Sequence, residues 1–281
     1  MDVTRERITF WYGCNVVRHG DIIHGCLDIL RAIGFDAAPV GGPDFCCGTV
    51  KDANQVAAAG MATRTIGKLN DKHRERVVAW CPSCHSHMHE FMDHANERQF
   101  GMTYLVELLH EHRARLAPLL VNPVPMKVVL HRHAGFQDLV PVNRMVPELL
   151  GMIPGVEVLE HDYTAPGYIC SSFGPLPRAL QDINTGTLAA ARSTGARAVV
   201  VTFHQCYREI LGLEAAGAVE VYNYIHLLAR SMGLPYEDEY KAWKKAGDGA
   251  AALIGKERLE KVGIEFYERA VLPELKKRPL I

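Results

Sequence analysis

The chain has 281 residues, 48% hydrophobic and 22% charged, with 31 Lys and Arg against 32 Asp and Glu. That apolar content and a net charge of -1 exclude a mainly disordered chain and leave no basic surplus for nucleic acid as the main ligand. No run of 18 apolar residues predicts a membrane span. Residues 1–7 carry charges of both signs with no apolar stretch behind them, so they do not read as a signal peptide. The expected compartment is the cytoplasm, where thiols stay reduced. Eight cysteines therefore point to metal ligation or redox chemistry before disulfides.

In chain order, Ile8 to Tyr12 reads as a buried strand ended by Gly13, with Cys14 in the turn. Ile22, Ile23, Cys26, Leu27, Leu30 and Ile33 recur at helical spacing, and Gly34 stops that helix. Cys26 on its apolar face reads as a small core hydrophobe. Residues 39–44 read as a loop that delivers Phe45-Cys46-Cys47-Gly48. A helix is expected over 54–69 and a strand over 76–80, running into Cys81-Pro82-Ser83-Cys84. The polar helix that follows is expected to expose His85, His87, His89 and His94. Residues 104–116 read as helical, and 118–125 as a linker.

The second half repeats this outline. A strand over 127–131 ends in His131-Arg132-His133-Ala134; a helix over 139–150 and a strand over 156–159 follow. A loop then carries Cys170-Ser171-Ser172-Phe173-Gly174 ahead of a long helix over 176–193. The apolar strand over 198–202 leads to Phe203-His204-Gln205-Cys206, and a strand over 219–222 precedes a helix ending near Arg230. Strands alternating with helices predict an α/β fold. It would have two pseudo-repeated lobes, each a parallel sheet flanked by helices, with cysteine clusters at strand ends. The expected divisions are a first lobe over 1–117, a second over 126–235 and a helical tail over 236–281.

Three strand-end loops of the first half supply five thiols. Cys14 is followed after 31 residues by Cys46-Cys47, and after 33 more by Cys81 and Cys84. A single zinc takes four ligands, so five is one too many for a simple structural site. An adjacent cysteine pair does not easily place both sulfurs on one small ion. Iron–sulfur clusters, by contrast, are held by thiolates, with potentials tuned by hydrogen bonds such as His85 and His87 would supply.

Tyr12-Gly13-Cys14, Phe45-Cys46-Cys47-Gly48 and Trp80-Cys81-Pro82-Ser83-Cys84 together resemble the motif of the CCG-domain, or cysteine-rich-domain, family. That family includes the cysteine-rich subunit of heterodisulfide reductase; the interval from Cys47 to Cys81 is slightly shorter here than is usual in it. The resemblance implies a noncubane [4Fe-4S] cluster on Cys14, Cys46, Cys47, Cys81 and Cys84. It extends from about Val128 to Leu234, where the motif is broken. Ala134 stands where a cysteine would, the pair becomes Cys170-Ser171, and the last motif becomes Phe203-His204-Gln205-Cys206. With three of five thiols gone, a second noncubane cluster is not expected.

Two readings stay open for Cys170, Cys206, His131, His133 and His204. One is an empty, vestigial lobe whose polar residues line a substrate cavity, with His131, His133 and His204 moving protons. The other is a rebuilt site for zinc or a small iron–sulfur centre.

The degenerate second half is similar to the cysteine-rich member of the heterodisulfide-reductase-like complexes of bacterial sulfur oxidation. That likeness implies oxidoreduction of a small thiol, persulfide or disulfide. It also implies three partners: a ferredoxin-like protein and a flavin-containing protein of the same complex, and a lipoate-binding protein. The chain has no Gly-x-Gly-x-x-Gly after a strand and no cubane-ferredoxin cysteine run, so electrons are expected to pass through such partners. The alternatives are an electron-relay or scaffold protein, a component of a quinone-linked or hydroxy-acid-oxidising complex, and a structural zinc protein.

Overall fold

The computed structural model describes residues 5–14, 18–48, 54–92, 97–216, 219–234 and 236–277. His94 lies outside the described residues, as do the first four and the last four.

The first lobe holds β1 (Glu6–Trp11), α1 (Gly20–Ala32), β2 (Phe35–Val40), α2 (Gln55–Asn70), β3 (Arg76–Ala79), α3 (Pro82–His87), β4 (Gly101–Tyr104) and α4 (Leu105–Glu111). Its four strands are parallel, in the order β2-β1-β3-β4. The second lobe holds β5 (Met126–His131), α5 (Val142–Leu150), β6 (Val156–Val158), α6 (Pro177–Thr194), β7 (Ala198–Val201), α7 (His204–Ile210), β8 (Glu220–Asn223) and α8 (Tyr224–Ser231). Its sheet is again parallel, in the equivalent order β6-β5-β7-β8. The two-lobed α/β architecture is therefore present, with cysteines near the strand ends.

Central strands carry apolar residues in succession because helices cover both faces of a parallel sheet. Val77 to Ala79 and Ala198 to Val201 are accordingly buried throughout. Helix α1 turns Ile22, Ile23, Cys26, Leu27, Ile29 and Leu30 inward, and Cys26 sits in the core. Asn54 caps α2 by accepting a hydrogen bond from the Ala57 amide at 3.1 Å. Helix α1 packs against α8, and α4 against α5, so the two lobes share one core. Among the described residues, no helix is long and apolar enough to cross a membrane.

Two strands differ from expectation. Residues 35–40 form β2, which shortens the loop expected over 39–44, and residues 101–104 form β4. Both are edge strands. An edge tolerates Pro39 in β2 and Gly101 in β4, residues that argue against a strand when read in isolation.

The strand order places the winding reversal between β1 and β3, and again between β5 and β7. The crevice beyond the carboxyl ends at such a point is where ligands gather in this architecture. Cys14 follows β1 and Cys81 follows β3; His131 ends β5 and His204 follows β7.

Candidate metal centres

The first-lobe centre is assembled by three loops pinned to one another. The Trp11 indole N–H donates to the Phe45 carbonyl at 3.0 Å, and the Gly42 amide donates to the Gly13 carbonyl at 2.8 Å. The buried Thr65 hydroxyl donates to the Cys46 carbonyl at 2.7 Å. Pro82 occupies the first turn of α3, where its missing N–H costs nothing, and this fixes Cys81 at the cap and Cys84 within the helix.

The five thiols then neighbour one another in sequence. Cys14 interacts with Cys46, Cys46 with Cys47, Cys47 with Cys84, and Cys84 with Cys81. Cys46, Cys47, Cys81 and Cys84 are buried, while Cys14 is exposed. Gly13, at φ 79°, lies against them: a Cβ there would stand 3.0 Å from Cys81 Cβ and 3.4 Å from Cys84 Sγ.

Proton sharing sets the thiol acidities apart. The bond from Cys14, then that from Cys47, holds Cys46 far below the usual thiol range, against the effect of burial. The bond from Cys84 does the same for Cys81, with His204 adding to it. Cys14 and Cys84, as donors, are pushed up. Cys46 and Cys81 thus carry thiolate character, as metal ligation requires.

The second-lobe centre unites four of the five residues left open above. His131, at the end of β5, and His133, two residues on in extended chain, point the same way. They meet Cys170 from the loop after β6 and Cys206 from α7; all four are buried, and one ligand atom from each lies within 4.8 Å of the others. His131 Nε2 is 3.1 Å from His133 Nε2 and 3.2 Å from Cys170 Sγ. His133 Nε2 is 3.4 Å from Cys170 Sγ and 3.3 Å from Cys206 Sγ. Burial, the largest influence on Cys206, opposes its ionisation, yet the bond from Cys170 and the neighbouring imidazoles hold it well below the usual thiol range.

His204 does not join that group. Two residues apart on a helix, His204 and Cys206 face different ways. The His204 ring stacks on Trp80 of the first lobe at 4.5 Å between centroids and bonds Cys81. Gln205, which the sequence did not single out, crosses the same boundary. Its Nε2 donates to Ser83 Oγ at 3.1 Å and lies 3.6 Å from Cys81 Sγ. Its position between His204 and Cys206 was the available signal.

The expected exposed histidine face of α3 needs correction. His89 is exposed, but His85 and His87 are buried. The His85 ring packs against Tyr104 at 5.3 Å and against Phe136 of the second lobe at 6.0 Å. Burial holds its pKa down to about 3, so it is neutral.

Several solved structures are distantly similar to the chain. An aspartate racemase homologue from Pyrococcus horikoshii OT3 has 11% identity over 83% of this chain and 100% of that chain, with a TM-score of 0.36. The aspartate racemase of Picrophilus torridus has 11% identity over 84% and 98%, with a TM-score of 0.33. The glutamate racemase of Aquifex pyrophilus has 13% identity over 83% and 84%, also with a TM-score of 0.33. Likenesses this distant say nothing about chemistry. No curated protein matches the chain. The family comparison falls on the lobe that holds the five converging thiols: residues 8–89 match the CCG cysteine-rich domain.

Proposed function

We propose that the chain is the iron–sulfur component of a heterodisulfide-reductase-like complex acting on a thiol, persulfide or disulfide, as in sulfur oxidation. Cys14, Cys46, Cys47, Cys81 and Cys84 would hold a noncubane [4Fe-4S] cluster. The observation that carries this reading is the unbroken succession of neighbouring thiols, five in all, from three strand ends. The donor set fits: it has one sulfur more than a zinc site takes, and deprotonating all five thiols in a largely buried pocket calls for the positive charge of a polynuclear centre. When bound, such a cluster supplies one-electron exchange at a site that can meet a substrate sulfur.

The chain's own residues prepare the surroundings. Gln205 and His204 hold Cys81 from the second-lobe side, and Trp80 with His204 closes that side to water. Cys14, exposed at the edge of the group, marks the side from which a substrate sulfur would arrive. Opening one disulfide to two thiols takes two electrons and two protons. In this proposal the electrons pass singly through a ferredoxin-like protein and a flavin-containing protein of the complex, and a lipoate-binding protein presents the substrate.

Anaerobic titration of the purified protein with a small thiol, a persulfide and dihydrolipoamide, followed by electron paramagnetic resonance, tests the sulfur chemistry. A changed signal with at least one of them is the expected result. A signal unmoved by all three would make the protein an electron relay.

A further inference from the structure

We infer that the second lobe holds one zinc ion on His131 Nε2, His133 Nε2, Cys170 Sγ and Cys206 Sγ, and that this ion seats α7 against the first-lobe thiols. The ligand set stands independently of the proposed function, whereas the seating role rests on it.

The hydrogen-bond inventory fixes the imidazoles. The Thr187 hydroxyl donates to the Ile183 carbonyl at 2.7 Å, so its oxygen is left to accept from His131 Nδ1 at 3.0 Å. The Pro166 carbonyl can only accept, and it lies 2.9 Å from His133 Nδ1. Neutral, as metal ligands must be, both rings carry their proton on Nδ1 and present bare Nε2 lone pairs. In that state the two nitrogens face each other at 3.1 Å with no ring proton between them. An outward Nδ1–H held by a carbonyl or hydroxyl is the arrangement that orients histidine ligands on metals. The Cys170 amide donates to Cys206 Sγ at 3.3 Å and supports a thiolate there.

The spacing suits one small ion. Zinc at about 2.05 Å from nitrogen and about 2.3 Å from sulfur, in a tetrahedron, needs donors roughly 3.3–3.8 Å apart. All six donor pairs lie within 4.8 Å, and the nitrogen–nitrogen and nitrogen–sulfur separations of 3.1, 3.2, 3.4 and 3.3 Å reach the tetrahedral values when the quartet opens by a few tenths of an ångström around the ion. A two-iron centre with histidines on one iron and cysteines on the other would hold the two pairs apart; here each sulfur touches an imidazole. Charge also closes: one Zn²⁺ enters as two thiol protons leave, and the buried site is neutral with two thiolates and two neutral rings.

The consequence for the first lobe follows from the helix. Cys206 faces the ion, while His204 and Gln205, in the preceding half turn, contact Cys81 and Ser83. Ligation would thus fix the two residues that border the first-lobe sulfurs.

The test is metal analysis of the full chain purified without oxygen, with sulfide measured alongside. The expected result is about one zinc per chain, retained in Cys81→Ala and lost in Cys206→Ser and His133→Gln. Cobalt exchanged into the wild-type chain should give the visible bands of a tetrahedral site and sulfur-to-cobalt charge transfer, a readout that holds even if a variant fails to fold. Removing zinc should shift the first-lobe paramagnetic signal. Wild-type protein with iron but no zinc, octahedral cobalt, or zinc lost in Cys81→Ala and kept in Cys206→Ser would overturn the site. An unshifted first-lobe signal would overturn the seating. Failure of the first-lobe reading shows differently, as zinc present without iron or sulfide.

Discussion

Cys81→Ala is expected to abolish the iron–sulfur absorption of the protein, while Cys26→Ala leaves it intact. Both cysteines are buried, at 7% and 1% exposure, so burial alone does not separate them. Their surroundings do. Cys26 lies on the inner face of α1 among Ile22, Ile23, Leu27, Ile29 and Leu30, and losing its sulfur removes one heavy atom from a packed core. That costs about 1 kcal/mol and touches no ligand. Cys81 ends the chain of five thiols, accepts from Cys84, and is approached by His204 and Gln205. Its loss leaves Cys84 without its acceptor and the buried pocket without one of its sulfurs. Iron and absorbance per chain decide the matter. If the two variants behave alike, the division between core and ligand cysteines is wrong.

The second large effect is expected from a glycine. Gly13 and Gly195 both adopt left-handed backbone, at φ 79° and 71°. Alanine at either costs about 1–2 kcal/mol for that conformation. At Gly195, which ends α6, an added Cβ meets nothing within 4 Å, so the conformational cost is the whole effect and iron per folded chain is expected to equal wild type. At Gly13 the same carbon meets Cys81 Cβ at 3.0 Å, an atom tied to the backbone, and Cys84 Sγ at 3.4 Å. The loop must shift, and it carries Cys14 on the next residue. Gly13→Ala should therefore lose a further 1–3 kcal/mol or so to overpacking, with iron per folded chain well below wild type. Thermal midpoints and iron content of the two variants, measured together, check this. Equal losses in both would mean that Gly13 matters only for its backbone angle.

Much of the architecture was legible because the strongest local patterns belong to central elements. Ala198 to Val201 reads as buried strand from its own side chains, and it is buried. The edge strands β2 and β4 were not legible, since one carries Pro39 and the other begins at Gly101. The burial of His85 escaped for a different reason: part of what covers it, Phe136, comes from the other lobe. The first five thiols stood out in the sequence by their place at three strand-end loops, and the resemblance to the CCG motif implied a shared ligand set. The second-lobe quartet was readable only in part. Histidines two apart at a strand end share a face, and His204 and Cys206 on one helix do not. That Cys170 and Cys206 meet the pair from two further segments depends on the sheet order, which local pattern does not encode. Gln205 escaped because amide side chains carry no chemistry of their own until a neighbour gives them a sulfur to donate to.

Iron and acid-labile sulfide, quantified in wild-type protein purified and kept without oxygen, test the central claim most directly. The account predicts about four of each per chain, with the colour of a bound cluster. Zinc alone in the preparation, with neither iron nor sulfide above background, would contradict it.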